Sequence, residues 1–201
     1  MAYATIERGA SGNGYFAVPS EGSSFFISHQ QFSQLGLYDT QPLTKMEFVS
    51  LRAKVLGIQC RQKAIDYLTS REHSRQELTV KLLRKNFPKD VIDEQLNQLE
   101  AERLLSDERF AEQFIISRQR KNPEGISLLK MRLAQKGVAR EIAEAVCSTW
   151  FAEEGAAQDA LKRAAERILR KRGVDRDKLI ANLLRKGFSY SEILAFLDEV
   201  E

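Results

Sequence analysis

His29, His73, Cys60 and Cys147 are the only histidines and cysteines in this chain of 201 residues, and they are the first place to look for metal or nucleophile chemistry. None has a neighbour at ligand, redox or catalytic spacing. The cysteines are expected to act as small buried hydrophobes and the histidines as solvated or locally bonded side chains. Gly9, Gly12 and Gly14 suggest a phosphate loop, but such loops follow a strand and open a helix, whereas these glycines precede a strand. No Gly-Lys-Ser/Thr sequence exists, which excludes a Walker loop. The acidic runs "EAER" and "SDER" between Glu100 and Arg109 alternate with Arg103 and Arg109 on expected helix surface, the pattern of ordinary ion pairs. No enzymatic activity, metal or cofactor is expected.

What remains is cationic chemistry. The formal net charge is only +3, and the basic and acidic side chains nearly balance within each third of the chain. The signal is local: Arg118, Arg120 and Lys121 stand together, and Lys162, Arg163, Arg167, Arg170, Lys171, Arg172, Arg176 and Lys178 form a denser group. Arg163, Arg167 and Arg170 share a face opposite Leu161, Ala164, Ala165, Ile168 and Leu169, so they read as a row on the solvent side of a helix. Asp159 to Arg163 and Glu166 to Arg170 are i, i+4 pairs that partly account for that row as helix support. Arg71, Arg118 and Arg172 recur after corresponding helices. The candidate partner-binding residues are therefore Arg71, Arg118, Arg120, Lys121, Arg163, Arg167, Arg170 and Arg172. Lys85, Lys136 and Lys186 each fall in the last turn of a helix, where a cation meets the favourable end of the dipole.

The elements that must position these groups are written three times. "LLRKNFPKDVIDEQL" (Leu82 to Leu96), "LAQKGVAREIAEAV" (Leu133 to Val146) and "LLRKGFSYSEILAFL" (Leu183 to Leu197) repeat at an offset of about fifty residues. Leu78, Leu82, Phe87, Ile92 and Leu96 correspond to Leu129, Leu133, Val138, Ile142 and Val146, and then to Leu179, Leu183, Phe188, Ile193 and Leu197. Each copy reads as an amphipathic helix, a turn at Asn86, Gly137 or Gly187, and a second amphipathic helix. A further helix precedes each pair: Ala64 to Leu68, Phe110 to Ile116, and Ala160 to Leu169. Ser74 with Glu77 forms a capping box, and Asp175 holds the equivalent place in the third copy. A unit this small is marginal alone but can stack on its neighbours, which predicts an elongated, curved array.

Ahead of the repeats, Tyr15 to Val18 and Phe25 to Ile27 alternate with Gly and Ser clusters and predict a small β-hairpin behind a flexible leader. From Leu43 the period becomes helical, with Pro42 in a first turn and one or two long helices running to about residue 70. The expected division is 1–42 as leader and hairpin, 43–104 as long helix and first repeat, 105–155 as second repeat and 156–201 as third. The class is mainly α, an elongated tandem array of three-helix repeats with a small N-terminal β-hairpin/helical segment. No apolar run approaches the ~18 residues of a membrane span, and no basic segment leads into an apolar core at the N-terminus. A cytoplasmic monomer with no membrane contact is expected.

"YLTSREHSRQEL" (Tyr67 to Leu78), "DERFAEQFIISR" (Asp107 to Arg118) and "LAQKGV" (Leu133 to Val138), in this order and spacing, resemble the motifs of the RecX family, bacterial regulators of the RecA recombinase. The specific match covers roughly residues 60 to 150, and the third repeat agrees by pattern. The resemblance implies repeats that bind the RecA filament, lie in its helical groove and inhibit recombination and ATP hydrolysis, and so modulate DNA repair and the SOS response. It implies no cofactor and no catalysis, and leaves room for weak binding of single- or double-stranded DNA. The sequence departs from the pattern in the leader before Tyr15 and in Asn86, where the other copies have Gly. Two other readings fit the residues: a helix-turn-helix-like DNA-binding module, and a helical-repeat scaffold for another protein.

Overall fold

A computed structural model describes residues 2–153, 155–170 and 173–200. The N-terminal segment forms a four-stranded antiparallel sheet of β1 (Ala4–Arg8), β2 (Tyr15–Pro19), β3 (Phe25–Ile27) and β4 (Pro42–Leu43), in the order β3-β2-β1-β4. The predicted hairpin is thus the β2–β3 half of a sheet, with Phe16 opposite Phe26. The expected flexible leader is instead a central strand: Ile6 pairs with Ala17 on one side, and Ala4 pairs with Leu43 on the other. Alternation explains this, since Ala4 and Ile6 are buried while Glu7 and Arg8 are exposed. Gly9 and Gly14 only close the β1–β2 turn, the Gly9 amide donating to the Gly14 carbonyl at 2.8 Å.

Pro42 lies in β4 and not in a helix turn, because its ring asks for no ladder donor at an edge strand. Helix α2 (Lys45–Ser70) starts three residues later, where Thr44 and Glu47 satisfy each other's backbone N–H groups at 2.8 and 3.3 Å. A short α1 (His29–Gln34) precedes it, capped by Ser28. Phe48, Leu51 and Val55 of α2 close the core against Ala4, Ile6, Ala17, Ile27 and Leu43 from the inner face of the sheet.

Beyond α2 the predicted repeat is visible as helices. They are α3 (Arg75–Leu83) and α4 (Lys89–Ala101), then α5 (Asp107–Lys121), α6 (Ile126–Gln135) and α7 (Arg140–Phe151), then α8 (Ala156–Leu169), α9 (Arg176–Arg185) and α10 (Tyr190–Val200). Leu82, Leu133 and Leu183 are each fully buried at matching positions. The turns at Asn86, Gly137 and Gly187 all adopt the left-handed conformation, with φ of 62°, 78° and 85°. Asn tolerates that conformation where the other copies use Gly.

Backbone contacts group the chain into two compact units: the segment up to Asp66 with Lys81–Gln98, and Tyr67–Val80 with the segment from Leu99 onward. Within the second unit, Phe110, Ile115, Leu129 and Leu133 meet Val146 and Cys147 in one core, while Leu161, Ile168, Leu183 and Ile193 anchor the next. Trp150 packs against both. Cys60 and Cys147 are buried and unpaired, and burial pushes the Cys60 thiol up to about 11 and raises that of Cys147. They behave as the small hydrophobes expected. Among the described residues no helix is long and apolar enough to cross a membrane.

Candidate partner-binding surface and the joints between repeats

Where one repeat ends and the next begins, helix termini leave backbone groups without partners. The second unit satisfies them across repeats, in the same way twice. At the first joint, the Glu77 amide donates to Ser74 Oγ at 3.1 Å, and the Ser74 hydroxyl donates to the carbonyl of Lys136, the C-cap of α6, at 2.6 Å. Lys136 Nζ in turn donates to Glu77 Oε1 at 2.7 Å. The other oxygen, Oε2, lies 3.0 Å from both Arg71 and His73 Nδ1. The cap of α3 is therefore half of the predicted box: Ser74 bonds as expected, while the Glu77 side chain turns to three cationic or polar neighbours. Burial alone would raise this carboxyl, but the bonds from Lys136, His73 and Arg71 outweigh that and hold it at about 2. Around it, the Arg75 amide donates to Asp107 Oδ1 at 2.7 Å, its guanidinium pairs with Glu100 at 2.5 Å, and Arg109 pairs with Glu72 at 2.9 Å.

The second joint is built on the same plan. The amide of Gly125, the N-cap of α6, donates to the carbonyl of Lys186, the C-cap of α9, at 2.8 Å. Lys186 Nζ reaches back to Asn122 Oδ1 at 2.6 Å and the Pro123 carbonyl at 3.3 Å. Glu124 is fully buried, bonded to the Arg118 guanidinium and to Arg132 Nε at 2.9 Å, with the Gln119 amide on its carbonyl at 2.7 Å. Burial lowers the Lys186 amine; Glu124 opposes this, and Arg167, Arg118 and Arg132 lower it further. His73 and Glu124 hold the same place, five residues ahead of the buried Leu78 and Leu129, and both are wholly inaccessible to solvent.

Two of the three arginines of the α8 row reach the end of α5, while Arg170 stays exposed. Arg163 donates to the Gln119 carbonyl at 3.1 Å, and Arg167 donates to the carbonyls of Arg120, at 3.2 Å, and Lys121. Those carbonyls belong to the last turn of α5, where no intrahelical donor exists and the dipole favours a cation. Arg163 also keeps its expected pair with Asp159 at 2.8 Å. The polar face of α8 was read correctly from periodicity; what it meets was not, because a period says nothing about the neighbouring element.

Of the candidate residues, Arg71 and Arg118 hold the joint carboxylates, and Arg163 and Arg167 cap α5. Arg120, Lys121 and Arg170 are exposed, and the first two make no side-chain hydrogen bond among the described residues. Arg172 lies outside the described residues. Lys136 and Lys186 sit at helix ends as predicted, but their ammonium groups cross to the neighbouring repeat. Glu77 was expected only as a cap, and Ser74 only as its partner. Glu124, Arg132 and Asn122 were missed altogether, although aligning Glu124 with His73 in the repeat register points to the site.

Residues 60–99 match the family model described as RecX, first three-helix domain, and residues 106–146 match RecX, second three-helix domain. A regulatory protein RecX of Prosthecochloris aestuarii is 38% identical over 141 residues, covering 69% of this chain and 91% of that one. Another, from Herminiimonas arsenicoxydans, is 35% identical over 148 residues, with 70% and 91% covered. A crystal structure of RecX from Lactobacillus salivarius is similar with a TM-score of 0.62, over 72% of this chain and 96% of that one, at 25% identity. A further crystal structure of regulatory protein RecX reaches 0.73 over 98% and 100% of the two chains at 19% identity, a likeness of fold. The two matched domains contain both partners of the first joint, Glu77 and Lys136, and the two relatives named above are each covered over 91% of their length. The chain belongs to the RecX family.

Proposed function

We propose that this chain regulates the RecA recombinase by binding the RecA filament, and that it lowers recombination and ATP hydrolysis without catalysis or a cofactor of its own. The observation that carries this reading is family membership: 38% identity to a regulatory protein RecX across 91% of that protein's length. The joints support it. Within the second unit, the Ser74 hydroxyl and the Gly125 amide each donate to a C-cap carbonyl, of Lys136 and Lys186, which ties the start of α3 to the second repeat and the second repeat to the third, as a ligand with several contact groups requires. In this reading 43–104, 105–155 and 156–201 are the repeat units, and 1–42 is an added segment. Arg120, Lys121 and Arg170 are the basic groups best placed to meet a partner, with Arg71, Arg118, Arg163 and Arg167 holding or flanking that surface; Arg172 remains a proposed contact from the sequence alone. The chain works as a cytoplasmic monomer in DNA repair and the SOS response.

RecA filaments assembled on single-stranded DNA and sedimented with the purified protein provide the test. Co-sedimentation with filaments and not with the same amount of bare DNA is the expected result. Equal recovery on both would make this a DNA-binding module and overturn the filament reading.

A further inference from the structure

Both joints close on a C-cap carbonyl, through the Ser74 hydroxyl at the first and the Gly125 amide at the second, but their charges differ. At the first, the linked side chains balance: Arg71, Arg75, Arg109 and Lys136 stand against Glu72, Glu77, Glu100 and Asp107. At the second, Glu124 and Asp159 are the only carboxylates bonded to the cations among the described residues. Facing them are Arg118, Arg132, Lys186, Arg163 and Arg167, with Arg120 and Lys121 on the residues whose carbonyls Arg167 holds. Counted as at the first joint, five linked cations meet two anions, and two more cations stand beside them unlinked. The α5 carbonyls absorb part of that excess, since a helix C-terminus carries roughly half a negative charge. The rest is uncompensated in a chain whose overall charge is only +3.

An uncompensated cluster costs folding free energy through self-repulsion, and the balanced first joint shows that closing on a C-cap carbonyl does not need it. A ligand of opposite charge accounts for it. We infer that the joint between the second and third repeats binds the phosphodiester backbone of a nucleic acid, with Arg120, Lys121 and Arg167 as its outer contacts. Arg167 is pinned by two carbonyls, which leaves three of the five guanidinium N–H donors uncommitted and already ordered. Two further cations, Arg120 and Lys121, are exposed on adjacent residues beside it. Charge closely repeated along a backbone suits several cations gathered at one helix end better than single carboxylates on a protein surface do. The inference deepens the filament reading by assigning these residues to the enclosed strand and not to RecA itself; its test contains no RecA, so the two can fail separately.

The experiment uses the full chain with Arg120→Gln and Lys121→Gln together, side chains that hold no joint bond. A second variant, Arg84→Gln with Lys85→Gln, removes the same charge from exposed residues after α3. Binding of a labelled oligo-dT is followed across a salt series, with thermal melting to check folding. The first variant should lose about tenfold in affinity at 0.1 M salt, and its slope of log K against log salt should flatten by about 1.4, two single-strand contacts. The second should bind as the unaltered chain does. Equal losses in both would reduce the effect to net charge and overturn the inference. Unchanged oligonucleotide binding in the first variant, with weakened filament binding, would assign the cluster to an acidic protein surface and overturn it equally.

Discussion

Glu77 and Glu124 are each a carboxylate held among cations at a repeat joint, and each should be testable by removing its charge. Glu77 is held at about 2 against an ordinary value of 4.5, so its contribution is complete above pH 4.5 and is lost as the pH falls toward 2. With Arg71 and Lys136 about half exposed and screened, the contribution is about 2 kcal/mol. Urea unfolding between pH 2 and 6 should therefore show a loss of stability over that window which Glu77→Gln reduces by about 2 kcal/mol, the remainder belonging to other carboxylates held low, such as Glu144 and Asp175; an unchanged acid limb in the variant would contradict it. At Glu124, replacement by Leu strands Arg118, Arg132 and Lys186 beside an apolar group. The expected cost is about 3 kcal/mol, the low end for a broken buried pair because Arg118 and Arg132 remain about one third exposed. Glu124→Gln, which keeps the shape and one of the two accepting oxygens, should cost less, and equal losses for the two would mean that the retained acceptor contributes nothing. Neither role was legible from residue types alone. An acidic residue after Asn122-Pro123 looks like loop surface until three repeats are aligned and Glu124 falls on the position of His73.

At the scale of elements, the repeat helices and their turns were legible because apolar spacing and left-handed turn residues are local signals. Strands β1 and β4 were not: β4 is two residues long, and β1 earns its place only by pairing with segments on both sides. The turn glycines carry more than turn geometry. A Cβ on Gly187 would sit 2.5 Å from the backbone nitrogen of Leu128 and 3.1 Å from its Cα, and a Cβ on Gly137 would sit 2.5 Å from the Cβ of Gln76, which the α3 backbone holds in place. Both substitutions to Ala incur the left-handed penalty of about 1–2 kcal/mol. Each must also push apart its own joint, Gly187→Ala the one that Gly125 and Lys186 close and Gly137→Ala the one that Ser74 and Lys136 close, bringing each total to on the order of 3 kcal/mol. Thermal melting should place both variants well below the unaltered chain, and a loss in either no larger than the left-handed penalty alone would show that its joint yields more easily than the close contact implies.

For the whole molecule, the central claim is that repeats coupled by these joints act on an assembled RecA filament, and RecA-dependent ATP hydrolysis on single-stranded DNA reads this most directly. The array carries more than one repeat along a polymer of identical subunits, so one copy should affect more than one subunit. Addition to preformed filaments, with all DNA already covered by RecA, should slow hydrolysis at amounts well below one copy per RecA subunit, and the protein alone should hydrolyse no ATP. Inhibition that appears only when free DNA is present and is titrated away by added bare DNA would contradict the account, because the protein would then be competing for the strand and not acting on the filament.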